Sequence, residues 1–173
     1  MPQYTDLKTQ DIIISNQEGE IADKILKISD AFFDSIDDPE QLPATKESRE
    51  KLRQLHVNSR WCRLRHGEPI SWIVVLPTTK ILMRQFLDGI ITERQLLNLS
   101  EPQEVYDALY LAVAFTIPEH RGHGYSKDMF RRAIEGIPHT EDVALFCWPV
   151  SDEGSGLAES LAKELEKEIF IKK

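Results

Sequence analysis

The sequence predicts an α/β domain, a central sheet with helices on both faces. Three observations lead there. One long strand-like run, Tyr106 to Ile117, stands between segments of helical period. Several shorter apolar runs are bounded by Pro or Gly, as buried strands are. The order of elements is strand, two helices, a run of strands, helix, strand, helix. At 173 residues the chain fits one domain with one core.

Ile12 to Ser15 reads as a short first strand. Ile21, Ile25, Ile28, Phe32 and Ile36 recur in steps of three and four, which predicts a helix with one buried face. Pro39 and Pro43 cannot continue it, and the acidic cluster before them is a solvated end. Thr45 is placed to cap a second helix that fades near His56. Two apolar runs then flank His66-Gly67-Glu68-Pro69, the pattern of a hairpin. The second of them, Ile70 to Leu76, is nearly continuous and reads as an inner strand, stopped by Pro77. Residues 78–102 read as helical in pieces, with Thr92 capping a helix through Leu99 and Glu93 favourable at its positive end.

In the long strand, Leu109, Leu111, Val113, Phe115 and Ile117 are expected on one face and Ala108, Tyr110, Ala112, Ala114 and Thr116 on the other. The second face is mostly small, so a helix or a thin ligand can approach it. Tyr125, Met129, Phe130, Ala133, Ile134 and Ile137 form the next helical stripe, ended by Gly136 and Pro138. Val143 to Trp148 is another strand. Leu157, Leu161, Leu165 and Ile169 mark a last helix starting near Asp152 or Ser155, and the final residues fray or add a short strand. Trp72 and Trp148 are expected in the core.

Between the long strand and its helix lies Pro118-Glu-His-Arg-Gly-His-Gly-Tyr-Ser126. The first amides of a helix lack carbonyl partners and carry part of the helix dipole, and glycine lets the backbone wrap an anion closely. A phosphate or pyrophosphate at the amides of Gly122 to Ser126, with Arg121 beside it, follows from that chemistry. A tight strand-to-helix turn with exposed histidines satisfies the same residues. The loop lacks the Gly-Lys-Ser/Thr of nucleotide-binding P-loops and the third glycine of dinucleotide sites.

The bulk numbers bound the partners. Asp plus Glu number 29 against 21 Lys plus Arg, a net charge of −8, which works against nonspecific nucleic-acid binding. No apolar run approaches the ~20 residues of a spanning helix, and the N-terminus lacks a secretory pattern. With Cys62 and Cys147 read as buried reduced thiols, these features point to the cytoplasm. His120 and His123 form a His-x-x-His pair with no carboxylate or thiol constellation, so no metal site is expected.

The run Arg121-Gly122-His123-Gly124-Tyr125-Ser126 resembles the coenzyme-A signature of the GCN5-related N-acetyltransferases, Arg/Gln-x-x-Gly-x-Gly/Ala. A Pro-Glu-x-Arg-Gly run after a long strand is also typical of them. Ser126 stands where Gly or Ala is usual. The resemblance covers most of the chain in element order and about 20 residues in specific motif. It implies a central mixed, mostly antiparallel sheet flanked by helices, with a helical insertion at about 78–104 and a shortened C-terminal end. It implies acetyl-coenzyme A as cofactor, its diphosphate on the amides of Gly122, His123, Gly124, Tyr125 and Ser126, with Arg121 and Ser155 nearby. Its pantetheine arm would lie along Phe115, Thr116 and Ile117. The activity implied is direct acyl transfer to a small-molecule or peptide amine.

The catalytic helpers of that family are thinly represented. The position of its mid-strand glutamate falls on Tyr110, and Asp107 lies close before it. Ala162 stands where a last-helix tyrosine protonates the leaving thiolate. A non-catalytic coenzyme-A-binding module is therefore the alternative, and a second copy of the chain in a homodimer is one way to finish the short C-terminal end.

Overall fold

A computed structural model of the chain describes residues 3–138 and 142–173. Seven strands form one sheet in chain order: β1 (Gln3–Thr5), β2 (Ile12–Ser15), β3 (Arg60–Arg65), β4 (Glu68–Thr78), β5 (Ala108–Thr116), β6 (Ala144–Cys147) and β7 (Ile169–Ile171). Neighbours are antiparallel from β1 to β5, whereas β6 runs parallel to both β5 and β7. The parallel pairs require crossovers, and helices α5 (Tyr125–Glu135) and α6 (Asp152–Leu165) supply them. Helices α1 (Gly19–Phe33) and α2 (Lys46–Leu55) link β2 to β3, and α3 (Lys80–Leu87) and α4 (Glu93–Leu99) link β4 to β5.

The core forms on both faces of the sheet. On one, Met129 and Ala133 of α5 and Leu161 of α6 pack on Trp61, Ile73, Val75, Leu109 and Leu145. On the other, Leu52, Phe86 and Leu96 of α2, α3 and α4 meet Leu76, Tyr110 and Phe146, and Ile25 of α1 meets Trp72 and Phe115. Helices α3 and α4 thus form a pair that covers β4, β5 and β6.

Caps form where the sequence places them. Thr45 Oγ1 accepts from the Ser48 amide at 3.2 Å. Thr92 Oγ1 accepts from the Gln95 amide at 3.1 Å while Gln95 Oε1 accepts from the Thr92 amide at 2.9 Å, a complete capping box. Helix α1 stops sooner than its apolar spacing indicates. Asp34 adopts φ 50°, ψ 40°, so Ile36 leaves the stripe and is exposed.

Two strand expectations are corrected. Pro77 does not stop β4: it pairs with Leu109 inside an 11-residue strand. β3 is in register with β4 only as far as Val74, so Pro77 has one strand neighbour, an edge-like position where a missing N–H is tolerated. The single alternation expected along β5 is also wrong. Val75 pairs with Leu111 and Val74 with Val113, leaving Ala112 as a surplus residue, a β-bulge. Alternation restarts after it, so Val113 and Phe115 join Trp72 on the α1 side, opposite to Leu109 and Leu111. β1 carried no clear sequence signal; it is held at the sheet edge by pairing with β2.

Candidate functional site

β5 and β6 pair only from Ala108–Ala144 to Leu111–Cys147. β5 then continues to Thr116 beside β4, whereas β6 ends and Pro149 carries the chain away to α6. The sheet therefore splits from Ala112 onward. A cavity of ≈ 1030 Å³ occupies the split and continues under α1 and α2, with Ala112 to Thr116 on one wall and Trp148 to Ser151 on the other. Trp148, expected within a strand, lies just beyond β6 and is half-buried at this wall.

The glycine turn closes one end of the split. After a 3-10 turn over Pro118–His120, Gly122 and Gly124 take φ 86° and 73°, the left-handed region that favours glycine. Gly124 caps α5 without a side chain, and the Asp128 amide, donating to the Gly124 carbonyl at 3.1 Å, makes the helix's first bond. Among the described residues, no protein oxygen accepts from the amides of Gly122 to Lys127. That leaves a concave set of donors at the positive end of an 11-residue helix. The acid in this first turn, Asp128, is engaged by Arg131, Arg132 and the Tyr4 hydroxyl.

The start of α5 is braced from below. Tyr125 is buried, with the Arg63 guanidinium 3.9 Å from its ring centroid and Arg65 Nη2 donating to its hydroxyl at 3.1 Å. Both arginines bind the fully buried Asp11, Arg63 Nη1 at 2.9 Å and Arg65 Nε at 2.8 Å. Burial alone would raise the Asp11 pKa, but the bonds from Arg65 and Arg63 outweigh it and hold the carboxyl at about 2.

Of the residues expected at the site, Phe115, Thr116, Arg121, Gly122 and Ser126 line the cavity. Thr116 Oγ1 and Ser126 Oγ are 3.3 Å apart. His123, Gly124 and Tyr125 face instead a smaller recess behind the turn, where His123 stacks on Tyr125. His120 Nδ1 lies 3.3 Å from Arg65 Nη1, and no group of metal ligands gathers among the described residues. Three main-chain groups expected to face an arm are already engaged: the Ile117 amide donates to Ile70, the Phe115 carbonyl accepts from Ser71 Oγ at 3.1 Å, and the Thr116 carbonyl accepts from Arg121 Nε at 3.0 Å. The edge left facing the split is therefore displaced toward Ala112 to Ala114. Ser155 is exposed on α6 and outside the cavity wall. Asp107 sits at the opposite end of β5, where its Oδ1 accepts from the Lys80 amide at 2.7 Å.

Tyr110 is fully buried beneath the split, packed on Phe86 and Phe146, and its hydroxyl donates to Glu93. Glu93 is an acid that the sequence marked only as a favourable charge at a helix start. It sits in the first turn of α4, lines the cavity, and takes the Leu42 amide on its other oxygen at 2.5 Å. Burial raises its pKa, against the lowering effect of these two donors. A glutamate at a capped helix start has an ordinary structural reading, and only the fold brings it over β5. Cys147, also on the wall, is a free thiol pushed by burial up to about 11, and buried Cys62 to about 12.

No family profile matches the chain, and no curated protein matches it in sequence. Solved structures do match it in shape. A diaminobutyrate acetyltransferase from Paenibacillus lautus, in complex with L-2,4-diaminobutyric acid and coenzyme A, superposes with a TM-score of 0.55 at 12% identity, covering 91% of this chain and 78% of that one. An agmatine N-acetyltransferase variant in its apo form gives 0.51 at 11% identity over 86% and 81%. At these identities the likeness is one of fold: with its sequential strands and two parallel crossovers, the chain has the GCN5-related N-acetyltransferase fold.

Proposed function

We propose that the protein is an acyl-coenzyme-A-dependent N-acyltransferase that acetylates an amine. The observation that carries the proposal is a glycine turn with unpartnered amides that closes one end of a split between β5 and β6, with Gly122 and Ser126 on the cavity wall. A diphosphate fits such a donor set, and a narrow apolar arm fits the small residues Ala112 and Ala114. Arg121 adds a cation beside the turn.

Acetyl-coenzyme A would supply the activated acyl group, its C–S bond breaking as the amine forms the new N–C bond and its sulfur leaving as a thiolate that takes a proton from solvent. The chain's part is to position and to move a proton. Glu93 receives the proton of the attacking amine, directly or through one water. Tyr110 fixes the Glu93 carboxylate and, by donating to it, favours its charged form. Its own pKa is pushed well above the ordinary value by burial and by Glu93, so Tyr110 positions and does not act as base. The raised pKa of Cys147 leaves it protonated near neutrality, which supports direct transfer without an acyl-enzyme.

A second reading, a coenzyme-A-binding module without turnover, draws on one observation. Ala162 packs on the α5–α6 core, and no tyrosine lines the cavity among the described residues. Calorimetric titration with coenzyme A and acetyl-coenzyme A, followed by thiol release against an amine panel, separates the two. Binding with turnover supports the enzyme; binding without turnover on any amine selects the module; no binding of either overturns both.

A further inference from the structure

The end of the cavity under α1 and α2 holds a cation that the fold leaves without an acid. Arg60 opens β3 beside Val74 and points to the α1–α2 side of the sheet. It is 6% exposed. Its Nη2 donates to Asn16 Oδ1 at 2.9 Å, and among the described residues no carboxylate lies within ion-pair distance. The same strand provides the contrast: Arg63 and Arg65 share the buried Asp11. A buried guanidinium held only by a neutral amide is costly unless something anionic reaches it.

The surroundings favour an anion. Arg49 of α2 lines the same cavity, with Asp23 3.4 Å from its Nη1. Gln17, 3% exposed, also lines it and has an unpaired side-chain oxygen; turned over, that amide presents its NH₂ group to the same space. The nearby acids are committed elsewhere: Glu50 to Arg53 at 2.5 Å, and Glu18 at 4.0 Å from the same arginine. Burial first, and then the charge of Arg49, lower the Arg60 pKa to about 10, as expected for a cation lacking an acid.

We infer that Arg60, with Arg49 and Gln17, forms a carboxylate subsite, so that the acceptor is an amino-acid-type amine. The inference rests on the acyltransferase reading for the role of the amine. Register supplies the scale: Arg60 pairs with Val74 and Val74 with Val113, which puts the β5 edge two strands, about 10 Å, from Arg60. Glu93 stands over Tyr110, three positions back along β5, so an acceptor crossing the cavity obliquely to this row can set its amine toward Glu93 and its carboxylate on the guanidinium fork, which matches carboxylate geometry.

The test uses amines matched with and without a carboxylate: lysine against cadaverine, ornithine against putrescine, and L-2,4-diaminobutyrate against 1,3-diaminopropane. In the intact protein, kcat/KM with acetyl-coenzyme A is expected to be at least tenfold higher for the carboxylated member of the best pair. Arg60→Gln should bring that ratio toward one through KM, and Arg60→Lys should restore part of it. Calorimetry of the same amines without coenzyme A gives a second readout, with affinity for the carboxylated member lost in Arg60→Gln and also reduced in Gln17→Leu should Arg60→Gln not fold. If coenzyme A binds and amines are acetylated with no carboxylate preference, the subsite is wrong and the acyltransferase reading stands. If coenzyme A does not bind but carboxylated amines bind through Arg60, the reverse holds. Preference for the decarboxylated members, in turnover or in binding, overturns the inference.

Discussion

The Tyr110 hydroxyl, rising from β5, donates to the Glu93 carboxylate at the start of α4, joining the strand beside the split to the helical pair that covers it. Because burial raises the Glu93 pKa, its basic form accumulates only above that raised value, and kcat/KM should climb with pH through it. Glu93→Gln should remove this rising limb and lower kcat/KM by about 10²-fold or more, the usual worth of a general base. Tyr110→Phe keeps the ring and removes a bond that favours the charged carboxylate, so the limb should move to higher pH. A pH profile of thiol release checks both.

The same carboxyl has a stability consequence of opposite sign. An acid whose pKa is higher in the fold than in the unfolded chain favours the fold while protonated, and that advantage is lost as pH rises through the folded value. Melting temperatures of the intact protein and Glu93→Gln should therefore shift in favour of the variant as pH rises from the ordinary carboxyl range to above the raised folded value, even as activity falls.

Asp11→Asn should cost about 3–5 kcal/mol, since it strands the buried Arg63 and loosens Arg65. The Asp11 pKa is depressed to about 2, so its contribution is present above the unfolded carboxyl value and is lost as pH falls from about 4 toward 2. Denaturant unfolding at neutral and acid pH should show the gap between the two proteins closing on the acid side. Loss of coenzyme-A affinity is expected alongside, because this network holds Tyr125.

At Gly122 an added Cβ meets nothing within 4 Å, yet φ is 86°. Gly122→Ala should thus cost about 1–2 kcal/mol through backbone conformation alone. Because Gly122 lines the cavity, the added methyl group and the shifted backbone should weaken coenzyme-A binding as well. Unfolding and calorimetry measure the two effects separately.

With Cys147 protonated near neutrality, incubation with acetyl-coenzyme A in the absence of an amine should leave the intact mass of the chain unchanged. A mass gain of one acetyl group at that residue would replace direct transfer with a two-step route.

Much of the architecture was legible because periodicity and capping are local. Thr45, Thr92 and the hairpin at His66-Gly67 each state their element within a few residues. The turn from Arg121 to Ser126 was equally plain. What stayed hidden depends on distant partners. Pro77 is admissible only because β3 stops short of it, and β1 exists only because β2 offers an edge. Glu93 reads only as a favourable charge at a capped helix start, and Arg60 carries no signal of its own, until the fold sets both on one cavity. Tyr110 drew notice for its place in the strand, but its partner lies 17 positions away in a helix of another period.

The surplus residue at Ala112 divides β5 into two stretches of opposite parity. Odd positions before it and even positions after it look toward α5; the others look toward the helices of the opposite side. Were Ala112 paired in turn instead of bulged out, Phe115 would come round to the α5 side and Thr116 would turn away from Ser126, swapping a greasy anchor for a polar one in both compartments at once. The bulge, more than any single side chain on the strand, keeps the two compartments chemically distinct.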